Sequence, residues 1–223
     1  MNTPNTVKSE MKYPDDYINK VICGDCLEVM KCIPDKSVDL VLTDPPYGIG
    51  IDGQKLSISK NPKHNRKEHE FMGWDKKIPS REYFNEMFRI SRNQIIFGAN
   101  YFVDYLTEGH KGWIVWDKGQ HGLTMSDGEL IYTSFDKPLR IIILNRVELL
   151  KDGALHPTQK PSELVRKILN IYSKESDVII DPFLGSGTTA WACKQLNRKY
   201  IGIEINHKYC EIAERRLAQE YLF

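Results

Sequence analysis

The stretch Val178-Ile-Ile-Asp-Pro-Phe-Leu-Gly-Ser-Gly187 leads into a helical run to about Leu196. A second apolar segment, Tyr200–Ile203, then closes on Glu204, and about one helix later the 223 residues end. This is a strand, a glycine turn, a helix and a second strand, the unit from which parallel α/β sheets are built. Such strands must be flanked by others before both of their faces are covered. The flanking strands therefore have to come from earlier in the chain, and the apolar runs Ile18–Cys23 and Val38–Thr43 are the candidates. The simplest closure sets Ile18–Cys23 beside the strand ending at Glu204. Val38–Thr43 then lies beside the strand ending at Asp181, as though a standard fold had been cut there and its old termini joined, which is a circular permutation. The expected fold class is α/β.

The second informative stretch is Asp39-Leu-Val-Leu-Thr-Asp-Pro-Pro-Tyr-Gly48. Two consecutive prolines cannot donate to a sheet ladder and hold φ near −65°, so the chain leaves the strand in a stiff, extended path after Asp44. That path would present the carboxylate of Asp44, the carbonyl of Pro45 and the ring of Tyr47 at the carboxyl end of a strand, where open α/β sheets bind ligands. Two acceptors and a stacking surface suit a flat molecule with an amino group, such as a nucleobase. The same four residues also fit an ordinary strand end whose Asp caps a turn.

Gly185-x-Gly187 between strand and helix lets backbone amides approach a ligand, and Glu204 at the next strand tip can accept from two ribose hydroxyls. Gly185-Ser-Gly-Thr-Thr-Ala190 also satisfies a loose dinucleotide fingerprint, so an NAD-dependent oxidoreductase competes on this segment alone. A kinase-type phosphate loop does not, because no Lys follows the second glycine.

Between these motifs, helices are expected at Leu27–Ile33, Ser80–Ile90 and Ser162–Tyr172, and strands at Gln94–Phe97, Trp113–Trp116 and Leu130–Phe135. The last is expected to pair with Arg140–Leu144. Residues 1–16 read as a loose polar arm and 17–223 as a single catalytic domain with insertions at about 50–79 and 118–155. The net charge of +1 gives no global basic field, so any polyanion surface must be local. Five cysteines, an odd count, argue for reduced thiols. Cys23-Gly-Asp-Cys26 lacks the second pair that a zinc site needs, so no metal is expected. With no basic-then-apolar leader and no run long enough to span a bilayer, a cytoplasmic protein is expected.

Taken in order, Asp44-Pro-Pro-Tyr47, His156-Pro-Thr-Gln-Lys-Pro161, Asp181-Pro-Phe-Leu-Gly-Ser-Gly187 and Ile201-Gly-Ile-Glu204 resemble an amino-directed DNA methyltransferase of the permuted β class. The resemblance spans nearly the whole chain from Ile18. It implies a Rossmann-like S-adenosylmethionine-dependent fold with a largely parallel seven-stranded sheet and helices on both faces. S-adenosyl-L-methionine would be the methyl donor and S-adenosyl-L-homocysteine the product. By the same resemblance Asp181, Phe183, Gly185 and Gly187 line the donor's methionine half, Ser186 and Thr188 also bind the cofactor, and Glu204 holds its ribose. Asp25 lies near its adenine, with a helix N-cap as the simpler alternative. Thr158 and Lys160 approach its carboxylate, and His156 shapes their turn without moving a proton. Asp44, Pro45, Pro46 and Tyr47 would be catalytic, on a base flipped out of the duplex. An Asp at position 44 goes with adenine N6 in this family, and a Ser there with cytosine N4.

DNA contacts are expected from Lys55, Lys60, Lys63, Arg66 and Lys67, which lie between Gln54 and His69 with a single acid, Glu68. Gln120 and His121 are the candidates for base contacts. Little chain remains for a separate recognition region, so a short target sequence or a homodimer would accommodate the size. Cytosine-N4 or RNA methyl transfer, NAD-dependent oxidation and a catalytically silent DNA-binding module are the alternatives. Bacterial or phage restriction-modification is the expected setting.

Overall fold

A computed structural model describes residues 11–50, 75–106, 112–119, 121–122, 126–145 and 159–219. Among them lie eight strands: β1 (Lys20–Cys23), β2 (Val38–Thr43), β3 (Ser91–Phe97), β4 (Trp113–Asp117), β5 (Gly128–Thr133), β6 (Arg140–Ile143), β7 (Val178–Asp181) and β8 (Lys199–Glu204). The helices are α1 (Cys26–Lys31), α2 (Arg81–Ile90), α3 (Ser162–Tyr172), α4 (Thr188–Gln195) and α5 (His207–Ala218).

All eight strands form one sheet in the order β1-β8-β7-β2-β3-β5-β4-β6. The two adjacencies expected from the motif order are present. Cys23 pairs with Glu204 across β1 and β8, and Val41 pairs with Ile180 across β2 and β7, both parallel. The sheet has eight strands rather than the expected seven, and β5 alone runs antiparallel to its neighbours β3 and β4. The expected pairing of Leu130–Phe135 with Arg140–Leu144 is overturned: β6 instead pairs in parallel with β4, Ile114 opposite Arg140. Both segments do read as strands, but side-chain alternation names a strand without naming its partner. The connecting loop carries the chain past β4, where the Lys137 ammonium donates to the Ile171 carbonyl at 2.9 Å and lies over the rings of Phe135 and Tyr172.

Alternation along the central strands fills two cores. Val41, Ile96, Ile180 and Ile201 point to the side covered by α1 and α2, where Val29, Phe84, Met87 and Ile90 are buried. Leu40, Leu42, Ile95 and Ile179 point to the other, covered by Leu164, Val165, Ile168 and Leu169 of α3 and Ala192 and Cys193 of α4. Helices on both faces explain why the three successive residues Leu40, Val41 and Leu42 of β2 are all apolar and buried. Of the expected loose arm, residues 11–16 belong to the packed body. Tyr13 donates its hydroxyl to the Ser37 carbonyl at 3.0 Å and packs at a tilt against the fully buried Tyr17.

Every strand but β5 runs in one direction and ends on the same edge of the sheet. That edge carries Asp181 and Glu204 as the last residues of their strands, with Asp44 one residue past β2. The start of β5 reaches the same edge because that strand runs the other way. The functional residues gather there.

Candidate active site

Thr43 ends β2 and donates its hydroxyl to the carboxylate of Asp181 at the tip of β7, 2.7 Å away and buried. This bond ties together two stretches 138 residues apart. The Asp181 carboxylate also accepts from the Phe183 amide at 3.1 Å. Full burial pushes its pKa up from 3.8 to about 6, although the Thr189 and Thr43 hydroxyls and the Phe183 amide oppose the rise. At the tip of β8, Glu204 accepts from the amide of Gly185 through one oxygen and from that of Asn206 through the other, each at 2.8 Å. Burial raises its pKa too, against those amides. Gly187 has φ of +84°, and a Cβ there would lie 2.9 Å from that of Ala213, so the turn brings α4 and α5 together as only glycine allows. Ser186 donates to the Gln159 side chain at 3.0 Å, and Thr188 accepts from the Arg216 guanidinium at 3.1 Å.

Asp44 has both carboxylate oxygens engaged. Oδ1 accepts from the Tyr47 hydroxyl at 2.5 Å and Oδ2 from the Lys160 ammonium at 2.6 Å. The tight proline turn makes the first bond local; the second crosses 116 residues. Lys160 was expected at the cofactor carboxylate. Its side chain lines the same cavity, but its ammonium sits on Asp44, because burial without an opposite charge would be costly and Asp44 is the nearest one. Glu129 of β5 lies 3.4 Å from that ammonium and 3.1 Å from Lys118. Burial pushes the Asp44 carboxyl up, against Lys160; burial would also raise Glu129, but Lys160 and Lys118 together hold it below its ordinary range.

The Tyr47 ring stacks on Tyr101 with centroids 4.7 Å apart and an interplanar angle of 13°. Gly98 passes so close beneath it that a Cβ there would sit 2.2 Å from Cε1. Pro45 is buried and Pro46 faces the cavity.

A single cavity of about 630 Å³ spans both halves. Asp44, Pro46 and Lys160 line it on one side, and Asp181, Phe183, Gly185, Ser186, Thr188 and Glu204 on the other. Tyr47 and Gly187 stand behind the lining. Asp25 also lines it. Its carboxylate caps α1 by accepting from the Leu27 amide at 2.8 Å, and it accepts from the Tyr83 hydroxyl at 3.3 Å. Burial, then the Asp25 charge, pushes the Tyr83 phenol up to about 12. Cys26 beside it is buried and free.

Tyr83, Gln159, Lys118 and Glu129 are the site residues that sequence reading missed as such. The signal for Tyr83 was its place on the apolar face of α2; Glu129 gave only an acid at a strand start. His121 is described and lies apart from the cavity, its ring 3.7 Å from Asp117 and 3.8 Å from Asp127. Lys55, Lys60, Lys63, Arg66, Lys67, Gln120 and Thr158 lie outside the described residues. Among the described residues no cluster of His, Cys, Asp or Glu is arranged to hold a metal.

Residues 115–215 match the family model described as DNA methylase. Across 92% of this chain and 70% of the relative, 29% of residues are identical to the Type II methyltransferase M.HinfI of Haemophilus influenzae. The chain is similar to DNA methylases along most of its length. Among solved structures, the complex of M1.HpyAVI with SAM superposes on the chain with a TM-score of 0.62 at 26% identity, over 90% of this chain and 99% of that one. The PvuII DNA methyltransferase, described as cytosine-N4-specific, shares the fold with a TM-score of 0.60 at 16% identity, over 91% of this chain and 87% of that one. Enzymes of this architecture therefore include one directed to cytosine, and the fold alone does not choose the base.

Proposed function

We propose that the chain transfers a methyl group from S-adenosylmethionine to the N6 amino group of an adenine flipped out of duplex DNA. The observation that carries this reading is the one cavity, about 630 Å³, that Asp44 shares with Asp181 and Glu204. The donor set fits the cofactor. Its ribose offers two hydroxyl donors, and Glu204 is a buried double acceptor at the tip of β8. Its methionine part carries cationic groups, and Asp181 is a buried carboxylate facing the same space. Phe183 and Tyr83, whose centroids lie 6.0 Å apart, offer apolar faces to its adenine beside Asp25. Bound there, the cofactor supplies an electrophilic methyl carbon on a positively charged sulfur.

The residues of the chain do the rest. An aromatic amine is a poor nucleophile because its lone pair is delocalised into the ring. Asp44 and the Pro45 carbonyl accept its two N–H groups and favour a pyramidal nitrogen whose lone pair faces the methyl carbon. Transfer to that nitrogen would form an N–C bond as the donor's C–S bond breaks, with S-adenosylhomocysteine as the other product, and the extra proton would leave the nitrogen. Asp44 stabilises the positive charge that develops on nitrogen in the transition state, and holding the reactants in line supplies most of the acceleration. Tyr47, behind the lining beside Asp44, is the ring proposed to stack on the extruded base once the base displaces its present neighbours, at an extrusion cost of a few kcal/mol.

The adjacency of β1 with β8 supports reading the chain order as a circular permutation. A second copy of the chain is the proposed source of further DNA contacts, and the cytoplasm of a bacterial or phage-infected cell the proposed setting. No helix among the described residues is long and apolar enough to cross a membrane.

Mass spectrometry of nucleosides from duplex DNA treated with the protein and methyl-labelled cofactor tests the reaction. Label in N6-methyl-2′-deoxyadenosine supports it. Label confined to N4-methyl-2′-deoxycytidine would reassign the base, and no label would end the reading.

The pKa of Asp181 adds a pH prediction. Its carboxyl keeps its proton up to about pH 6, against an ordinary 3.8. Cofactor affinity, which needs the anion, falls as pH drops through 6, by up to about tenfold per unit for one proton. The stability of the cofactor-free protein responds in the opposite sense at this group. The buried anion is a penalty above pH 6, and protonation relieves it between 6 and 3.8. Calorimetric titration of cofactor from pH 7.5 to 5 checks this, and Asp181→Asn should flatten the profile.

A further inference from the structure

Four side chains of alternating charge run in a line on the sheet edge: Lys118, Glu129, Lys160 and Asp44. The contacts are 3.1 Å from Lys118 to Glu129, 3.4 Å from Glu129 to Lys160 and 2.6 Å from Lys160 to Asp44. Lys118 follows β4 and Glu129 opens the antiparallel β5, so the one reversed strand is what delivers a carboxylate to the edge where the parallel strands end. All four side chains are at least three-quarters buried. In water-poor surroundings each charge depends on its neighbours.

The line presents a problem for the reaction. Asp44 must accept from the target amine, yet its Oδ2 already accepts from Lys160 and its Oδ1 from Tyr47. A carboxylate oxygen can accept two bonds, as Asp181 Oδ1 does from Thr43 and Phe183, but on Oδ2 the amine must share with an ammonium 2.6 Å away or displace it. An ammonium pushed off Asp44 with no other acceptor would be a buried, unpaired cation. Glu129 Oε2 lies 3.4 Å from that ammonium and 3.5 Å from the Tyr47 hydroxyl, close enough to take over either donor after a small movement.

We propose that Glu129 is a positioning residue for the reaction: it receives the Lys160 ammonium when the target amine arrives, and so frees Asp44 Oδ2 to accept the amine's N–H. Lys118 on the far oxygen keeps Glu129 ionised and in place. The four charges sum to zero before and after, so the exchange moves a hydrogen bond without moving net charge. The inference rests on the reading that Asp44 holds the target amine.

The test is a double-mutant cycle read by single-turnover methyl transfer at saturating DNA, with cofactor Kd as the control for folding. Glu129→Gln should lower the rate constant by about tenfold or more and change the cofactor Kd by less than about twofold. In the Lys160→Met background, which has no ammonium to rehouse, the further loss from Glu129→Gln should shrink to about twofold or less. A merely structural Glu129 predicts equal losses in both backgrounds, and that result would overturn the proposal. A wild-type protein that methylates no amino group would instead overturn the reading beneath it. Should Glu129→Gln fail to bind cofactor, a crystal structure of the wild-type protein with S-adenosylhomocysteine and a duplex bearing its target, located by methylome sequencing, decides the matter. Lys160 Nζ bonded to Glu129 and released from Asp44 Oδ2 is the expected arrangement. Lys160 still on Oδ2 with the base seated is the contrary one.

Discussion

Asp44→Ala should lower the single-turnover rate of methyl transfer by about a thousandfold or more while leaving the cofactor Kd within about twofold. The asymmetry follows from where Asp44 sits. The acceptors assigned to the cofactor are Glu204 and Asp181, on β8 and β7, and their hydrogen bonds to Gly185, Asn206, Phe183 and Thr43 do not involve Asp44. Asp44 is the acceptor for the amine. Stability should change less than rate, because burial already disfavours the Asp44 anion and Lys160 only partly offsets this. A carboxylate held against its own desolvation is characteristic of a working site rather than of a structural pair. Asp44→Asn, which keeps one acceptor oxygen, should lie between the wild type and Asp44→Ala. Equal turnover in wild type and Asp44→Ala would remove Asp44 from the mechanism.

Gly98→Ala should be the most damaging single methyl addition near the site. Gly98 has φ of +64°, where a residue with a Cβ is strained by about 1–2 kcal/mol. The added carbon would also sit 2.2 Å from Cε1 and 2.3 Å from Cζ of Tyr47. That ring has little freedom to yield: it is stacked on Tyr101, edge-on to Phe102 and bonded through its hydroxyl to Asp44. Overpacking of this kind costs about a further 1–3 kcal/mol, so unfolding in urea should show a loss of about 2–5 kcal/mol. Any folded fraction should transfer methyl groups slowly, because the ring can clear the new carbon only by giving up Asp44. Adding Tyr47→Ala opens the space and should recover part of the stability but none of the rate. Full stability in Gly98→Ala would mean that Tyr47 is not held as described.

The parts legible in the sequence were those whose physics is local or is repeated by a motif. Val38–Thr43 read as a central strand because residues on both of its faces are apolar, and both are covered. The pairing of Cys23 with Glu204 followed from there being too few strands after Asp181. The expected neighbours of Arg140–Leu144 were wrong because alternation records which face a side chain takes and says nothing of the strand beside it. The contact of Lys160 with Asp44 was not legible. Its ammonium goes to the nearest buried anion, and which anion is nearest depends on how the turn before α3 meets the tip of β2, 116 residues earlier. Glu129 went unnoticed because an acid at the start of a strand looks like a solvent-facing residue until the strand is known to run backwards toward the site.

The central claim is that donor and acceptor sites are one space. A conjugate joining N6 of adenosine through a short linker to the 5′ position of the donor's nucleoside measures this by its Kd. The account predicts binding at least about tenfold tighter than that of S-adenosylhomocysteine, as linked ligands gain when both sites are engaged together. It predicts further that Asp44→Ala and Glu204→Gln each weaken the conjugate by about tenfold, the range expected for a lost hydrogen bond to a charged group. A conjugate that binds no better than S-adenosylhomocysteine, or that responds to Glu204→Gln alone, would contradict it.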